Sequence, residues 1–315
     1  MTGKRRAILL LLPLLARMLV AEEPQAENAS EIESFPEVFL QVTSSPAAKL
    51  GFIWHFTIPF LQGNNPLTQG NNIVLSPGVE ITPVDFHLTA EAVWTPIAFA
   101  ELIAGSKIGS GWNMNLFGSN VHGIGLNRVG HDYSSAHDGR ALDGVLWQAH
   151  IGAALQGDLA AFFPGEWNHL IFRTLHEISY AGYSRAGTGD FWFFQNDSGE
   201  NRNGFSYRGN LLIGYRMPLF LDMVALQAEA ELFLQGPPGR ERWGDDRLRW
   251  TFSGALNFVV TERFEVTLIT QFRTMRNFVE DDWRDRHFTK RTLDTSGRPQ
   301  RLEFYRIVAS MTYRF

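Results

Sequence analysis

No cysteine occurs in the 315 residues. The chain therefore has no disulfide framework, no thiolate metal cluster and no cysteine nucleophile. Past the N-terminus no apolar run approaches the ~20 residues that a membrane-spanning helix needs. Positive charge is also scarce. Lys and Arg number 28 against 33 Asp and Glu, for a formal net charge of −5. The only strong basic run, Lys4-Arg5-Arg6, lies at the N-terminus. That balance argues against a nucleic-acid partner. The chain also lacks repeats of 20–50 residues, a phosphate-cradling glycine loop after a strand, and a nucleophile elbow. No cofactor is implied.

Glycine and aromatics are plentiful: 29 Gly, 25 Phe and 9 Trp. The first 21 residues read as an export signal, with a basic start followed by a short apolar stretch. Cleavage is expected near Ala21, with an uncleaved anchor as the alternative. Residues 22–36 are acidic and without period, and read as a flexible periplasmic lead-in. Residues 37–315 then fall into strand-like runs separated by turn signals.

The last of these runs is the clearest. From Tyr305 every second residue is Tyr305, Ile307, Ala309, Met311, Tyr313 and Phe315. The interleaved set is Arg306, Val308, Ser310, Thr312 and Arg314. Side chains alternate faces along a strand, so one face is apolar and aromatic and the other mostly polar. Similar alternation marks Phe205–Met217, Val224–Leu234, 248–258 and 264–273. These runs are about twice the ~5–6 residues usual for a soluble strand. Their connections alternate between short and long.

The terminal aromatic strand resembles the C-terminal strand of bacterial outer-membrane β-barrels of the porin-like kind. The resemblance covers about ten residues and implies an outer-membrane location. It also implies that Phe315 is an assembly signal read by the barrel-assembly machinery. The fold expected is an all-β, transmembrane, antiparallel up-and-down barrel. Counting back from a periplasmic Phe315 places loops 109–144, 186–204, 236–247 and 279–300 outside the cell. The periplasmic turns fall at Thr95–Pro96, Phe163–Asn168, Met217–Leu221 and Thr261–Arg263. The remaining strands are 49–60, 72–81, 85–94, 97–108, 145–162 and 169–185. Bacterial single-chain barrels have even strand counts, so Val38–Thr43 is the twelfth strand, followed by a turn at Ser44–Ala48. Ten and fourteen strands are the alternatives.

On the lipid-side phase Trp54, Trp94, Trp147, Tyr215, Trp250, Tyr305 and Tyr313 read as membrane girdles facing outer-membrane lipid. The opposite phase supplies the pore-lining candidates. The first half offers Glu80, Asp85, Glu91, Glu101 and Asp158, with Lys49, His55, His87 and His150. The second half offers Arg173, Glu177, Arg208, Arg216, Glu229, Glu231, Arg249, Glu265, Arg273, Arg306 and Arg314, with His169. Acids dominate the first set and arginines the second. Facing each other across a closed barrel, they form a transverse field. A channel for passive diffusion of small hydrophilic solutes is the function expected. The alternative is a structural or surface-interaction barrel with a plugged lumen, its interior laced by Arg–Glu pairs. Barrels of ~8 strands are filled and those of 16–18 are open, so twelve decides neither way.

Catalysis is not expected. His176 falls on the lipid-facing phase, but no outward serine accompanies it on the neighbouring strands, so a pairing with an interfacial group is expected instead. His122, His131, Asp132, His137 and Asp138 in loop 109–144 match no defined metal-ligand pattern. That loop is expected to fold over or into the mouth, using Trp112, Leu116, Phe117 and Leu126. Oligomeric state is left open by the sequence.

Overall fold

A computed structural model describes residues 31–315 apart from 45–46, 117–118, 127–141, 143, 188, 196–199, 236–239 and 280–290. The export signal lies outside the described residues. So do His131, Asp132, His137, Asp138 and Phe117, and nothing is described of the His122 and Leu116 side chains.

Twelve long strands follow one another: β1 (Glu33–Thr43), β2 (Ala47–Pro59), β3 (Asn72–Ile81), β4 (Asp85–Ile97), β5 (Ala100–Gly111), β6 (Leu146–Asp158), β7 (Leu170–Tyr183), β8 (Gly204–Arg216), β9 (Leu221–Phe233), β10 (Arg249–Val259), β11 (Phe264–Arg276) and β12 (Gln300–Arg314). Each pairs antiparallel with the next, and β12 returns to β1 to close the barrel. The seam runs from Glu37 opposite Arg314 to Thr43 opposite Val308. The all-β class and the count of twelve therefore hold, and Val38–Thr43 is part of the twelfth strand.

The alternating sequence turns the usual inside–outside rule round. Leu88, Ile151, Leu155, Leu226 and Ile307 point outward and are exposed. Glu37, Asp85, Arg173, Asn210 and Asn257 point inward and are buried. An apolar band round a whole barrel far exceeds the patch of a few hundred Å² that a soluble monomer shows. Its natural solvent is lipid, and closure leaves the backbone no unpaired edge there. Trp54, Trp94, Trp147, Tyr215, Trp250 and Tyr313 lie on the outward phase.

Four expectations need correction. Glu33–Pro36, read as lead-in, belong to β1 and pair with Trp54–Thr57. Alternation is simply hard to see there, because Pro36 and the acidic residues mask it. Thr95–Pro96 is not the turn between β4 and β5. The strand continues to Ile97 through a register shift between Trp94 and Ile97, and the chain turns at 98–99. Proline lacks an N–H and is tolerated at such an irregularity. Strand 145–162 ends at Asp158 and gives way to a single 3-10 turn, Leu159–Ala161, in which the Ala160 amide donates to the Asp158 carboxylate. Finally, Tyr305 is not on the lipid face. A bulge in β12, opposite the Gln271–Phe272 step of β11, leaves Tyr305 as an extra residue between Phe304 and Arg306. An extra residue of this kind reverses the phase. Leu302 and Phe304 therefore take the outward positions before the bulge, and both are exposed.

Candidate functional site

All sixteen charged residues named as lumen candidates lie on the inward phase, and the structure brings most of them into pairs. Near the Phe315 end of the barrel, Arg314 reaches Glu37 at 3.4 Å and Glu265 at 3.2 Å. His169 and Asp158 are 2.6 Å apart, and Arg216 and Asp222 3.9 Å. Deeper in the barrel Arg173 donates to Glu101 at 2.6 Å. Toward the opposite end Arg208 sits 3.8 Å from Glu177 and 3.9 Å from Glu229. Glu231 accepts from Arg249 at 2.5 Å and from Arg273 at 3.5 Å. Glu80 accepts from both Lys49 (3.1 Å) and Lys107 (2.9 Å). His150 and Glu91 are 3.7 Å apart.

This pairing corrects the expectation of an acidic wall facing an arginine wall. Most of these charges are met by an opposite one on a nearby strand, and Arg306 donates instead to the Gln271 amide oxygen. Lys107 alone changes the balance of the first half, and it went unlisted because the phase of β5 is blurred by Gly105, Ser106 and Gly109. Buried charge is costly unless paired, and in a barrel interior the nearest partner is across the ladder rather than across the lumen.

At mid-depth the inward side chains are buried. Val93, Ile103, Ala154, Ile171, Leu175, Leu212, Met223, Ala225, Ala255, Ile269 and Val308 form one buried apolar cluster running from β4 to β12. On β1–β3 the ring is completed by Phe39, Gln41, Ile53, His55 and Ser76. Along this ring every strand contributes an inward side chain no more than 9 % exposed. Phe39 adds to the filling by lying over Gly51, whose missing Cβ would fall 1.9 Å from the ring.

Above this layer the lumen opens into a charged vestibule. The side chains of Arg208, Glu229, Lys49, Glu231 and Lys107 are between 21 and 38 % exposed. Tyr305 faces into this space, with the Arg273 and Arg306 guanidinium carbons 5.0 and 4.8 Å from its ring centre.

Long connections at the end of the barrel away from Phe315 roof the vestibule. Three short strands, Ile124–Leu126, Phe191–Phe194 and Asn201–Arg202, form a small sheet with the middle segment central. Phe191 packs edge-on against Trp243 at 5.3 Å, and Ile124, Leu146, Tyr183 and Trp192 form a second buried cluster beside it. The expectation that loop 109–144 folds over the mouth is met for Ile124–Leu126. Trp112 instead donates through its indole to the Pro83 carbonyl at 2.8 Å, tying the loop base to the β3–β4 turn. The larger contribution comes from the β7–β8 connection. Its Gln195 donates to Asp85 on β4 at 3.1 Å, while Phe194 meets His87 edge-on at 5.3 Å. Its Glu200 lies 3.7 Å from Arg249 on β10 and 3.4 Å from Arg276 on β11. β4 and β10 stand six places apart in the ring of twelve, so Gln195 and Glu200 touch opposite walls. Asp245, fully buried, locks this roof by pairing with Arg202 and with Arg276. Burial pushes the Asp245 carboxyl above its ordinary range, against the pull of the two arginines. Gln195, Glu200, Arg202 and Asp245 carry no pattern in the sequence, because loops have no period to read.

On the lipid-facing wall His176 does have partners. Its Nδ1 is 2.7 Å from the Tyr207 hydroxyl and its Nε2 3.4 Å from Thr174 Oγ1. Gly209, opposite His176 in the ladder, leaves room for that hydroxyl, since a Cβ there would fall 2.7 Å from it. A hydroxyl–imidazole–hydroxyl chain can relay a proton. This one lies four residues from Tyr180 on the outward apolar face. Among the described residues no group of three or more His, Cys, Asp or Glu is arranged to hold a metal.

No family model matches the chain, and no curated protein matches it in sequence. Solved structures do resemble it. The KdgM porin is 10 % identical, with 90 % of this chain and 99 % of that one covered and a TM-score of 0.40. The β domain of the Bordetella autotransporter BrkA is 9 % identical, covering 90 % and 98 %, with a TM-score of 0.43. OmpF of Salmonella typhi is 8 % identical, covering 91 % and 98 %, with a TM-score of 0.32. The structures this twelve-stranded chain resembles are outer-membrane β-barrels.

Proposed function

We propose that this protein is an outer-membrane barrel with a lumen closed by its own side chains, whose function is carried by the extracellular vestibule and its roof. The observation that carries this reading is the central ring, where every strand holds an inward side chain no more than 9 % exposed. The outward apolar band supports the membrane location, and the long connections support its extracellular side. The experiment is conductance in planar bilayers, with folding verified by heat-modifiable gel mobility. The expected result is a folded barrel with no steady current and no sugar entry in a liposome-swelling assay.

A second reading keeps the passive channel for small hydrophilic solutes. It is favoured by the part-exposed charges of the vestibule, which make the outer half of the lumen wet. Passage would then need the central layer to move. Discrete conductance steps from the unaltered protein would establish that reading and overturn the first. Neither reading uses catalysis.

A further inference from the structure

The β12 bulge aims one aromatic side chain at the vestibule and gathers cations round it. Bulges recur where a strand must redirect a side chain. Here the result is Tyr305 with Arg273 and Arg306 each about 5 Å from its ring. Arg249 is the next inward arginine along the same wall. Glu231 is the carboxylate shared by Arg249 and Arg273. Arg306 donates to an uncharged acceptor, the Gln271 amide oxygen, at 2.7 Å. Among the described residues no carboxylate lies within ion-pair distance of it. Arg249 and Arg273 thus share Glu231, Arg249 also meets Glu200, and Arg306 keeps only the uncharged amide, on a surface that is partly open to the vestibule. The ring holds the two guanidinium planes by cation–π attraction without neutralising them.

The protein itself shows what such a cluster accepts. Glu200 descends from the roof and places its carboxylate 3.7 Å from Arg249 and 3.4 Å from Arg276. Planar guanidinium groups match carboxylate and phosphate oxygens in the same way.

We propose that Arg249, Arg273 and Arg306, gathered round Tyr305, form an oxyanion site that takes the carboxylate or phosphate of a small hydrophilic solute entering from the extracellular side. The site rests on the reading of the outer lumen as an open vestibule. It does not depend on whether the solute then crosses the barrel.

The cysteine-free chain allows a direct test. Thr251, inward on β10 and opposite Arg273 in the ladder, is replaced as Thr251→Cys in the full-length protein. Its reaction with an anionic and a cationic methanethiosulfonate of similar size is then timed. The expected result is a preference for the anionic reagent of roughly tenfold over a free thiol, as a local positive field would give. Arg273→Gln with Arg306→Gln should abolish that preference, and Arg273→Lys with Arg306→Lys should restore it. Citrate or inorganic phosphate should slow the anionic reagent in the parent and leave the glutamine variant unaffected. Which of the two slows it more separates carboxylate from phosphate. Equal rates for both reagents, or no protection by either anion, overturn the oxyanion site while leaving the vestibule intact. A thiol that reacts with neither reagent shows a sealed mouth, and the vestibule falls together with the site. Heat-modifiable mobility of each variant confirms that a folded barrel is being compared.

Discussion

Arg173 on β7 donates to Glu101 on β5 at 2.6 Å, reaching over β6, and neither side chain meets solvent. The pair ties together strands that share no ladder, at the level where the lumen is filled. A buried ion pair is sensitive to losing one member, because the survivor keeps its desolvation cost. Glu101→Leu is therefore expected to destabilise the barrel by about 3–5 kcal/mol, while Glu101→Leu combined with Arg173→Met comes close to neutral. Urea unfolding in detergent micelles, followed by tryptophan fluorescence, measures both. A single variant as stable as the parent would show that the pair contributes nothing to the closed centre.

The central layer should also govern conductance. Leu212 and Ile269 are among the least exposed side chains of the chain, at 0 and 2 %. Leu212→Ala with Ile269→Ala removes volume where strands β8 and β11 face the lumen. Each truncation costs ~2–5 kcal/mol in a packed core, so folding must be verified by gel mobility first. The folded double variant is expected to pass measurable current in planar bilayers where the parent passes none. Silence from a folded double variant would place the seal elsewhere, in the roof.

The roof has its own fastening. Asp245 accepts from Arg202 and forms an ion pair with Arg276 at 3.0 Å, and Gly244 beside it adopts φ 74°, a left-handed turn that suits glycine. Asp245→Ala removes the carboxylate that the two arginines share. Hydrogen bonds to charged groups contribute ~1.5–3 kcal/mol each, enough to loosen a segment without unfolding the barrel. Brief proteolysis of the intact protein in membranes should cut the 234–248 connection faster in the variant. Cleavage at the parent's rate would mean that the Phe191–Trp243 contact alone holds the roof.

The barrel was legible because two rules act on it everywhere. Alternation is enforced by lipid on one face and packing on the other, and closure forces an even number of strands. These two rules are enough to recover twelve strands and the inward set. They fail where the backbone departs from regular pleating. Tyr305 was assigned to lipid because a bulge adds one residue that the alternation of Ile307–Phe315 cannot announce. Lys107 was lost among small residues that take either face. Glu37 stood too near an acidic stretch to be recognised as part of a strand. The roof was least legible. Gln195 finds Asp85 across 110 positions, and Asp245 finds Arg202 only because the β7–β8 and β9–β10 connections meet above the mouth. The transverse field failed for a physical reason, since a charge inside a narrow barrel finds its partner on the nearest strand.

Phe315, the residue that first suggested a barrel, separates assembly from stability. Its ring is 64 % exposed and packs edge-on against Tyr313 at 5.0 Å, while its backbone N–H donates to the Pro36 carbonyl at 3.2 Å. The backbone bond survives any side-chain change, and an exposed ring contributes little to the folded state. Phe315→Ala is therefore expected to shift the unfolding free energy of refolded protein by no more than ~0.5 kcal/mol, as for other surface positions. If an assembly machinery reads the terminal strand before it is paired, the same variant accumulates less folded barrel in cell membranes. Comparing heat-modifiable protein in membranes with the urea midpoint of refolded protein tests the two quantities separately. Equal accumulation in cells would remove the assembly role. A large loss of stability in vitro would instead make Phe315 a structural residue of the β1–β12 seam.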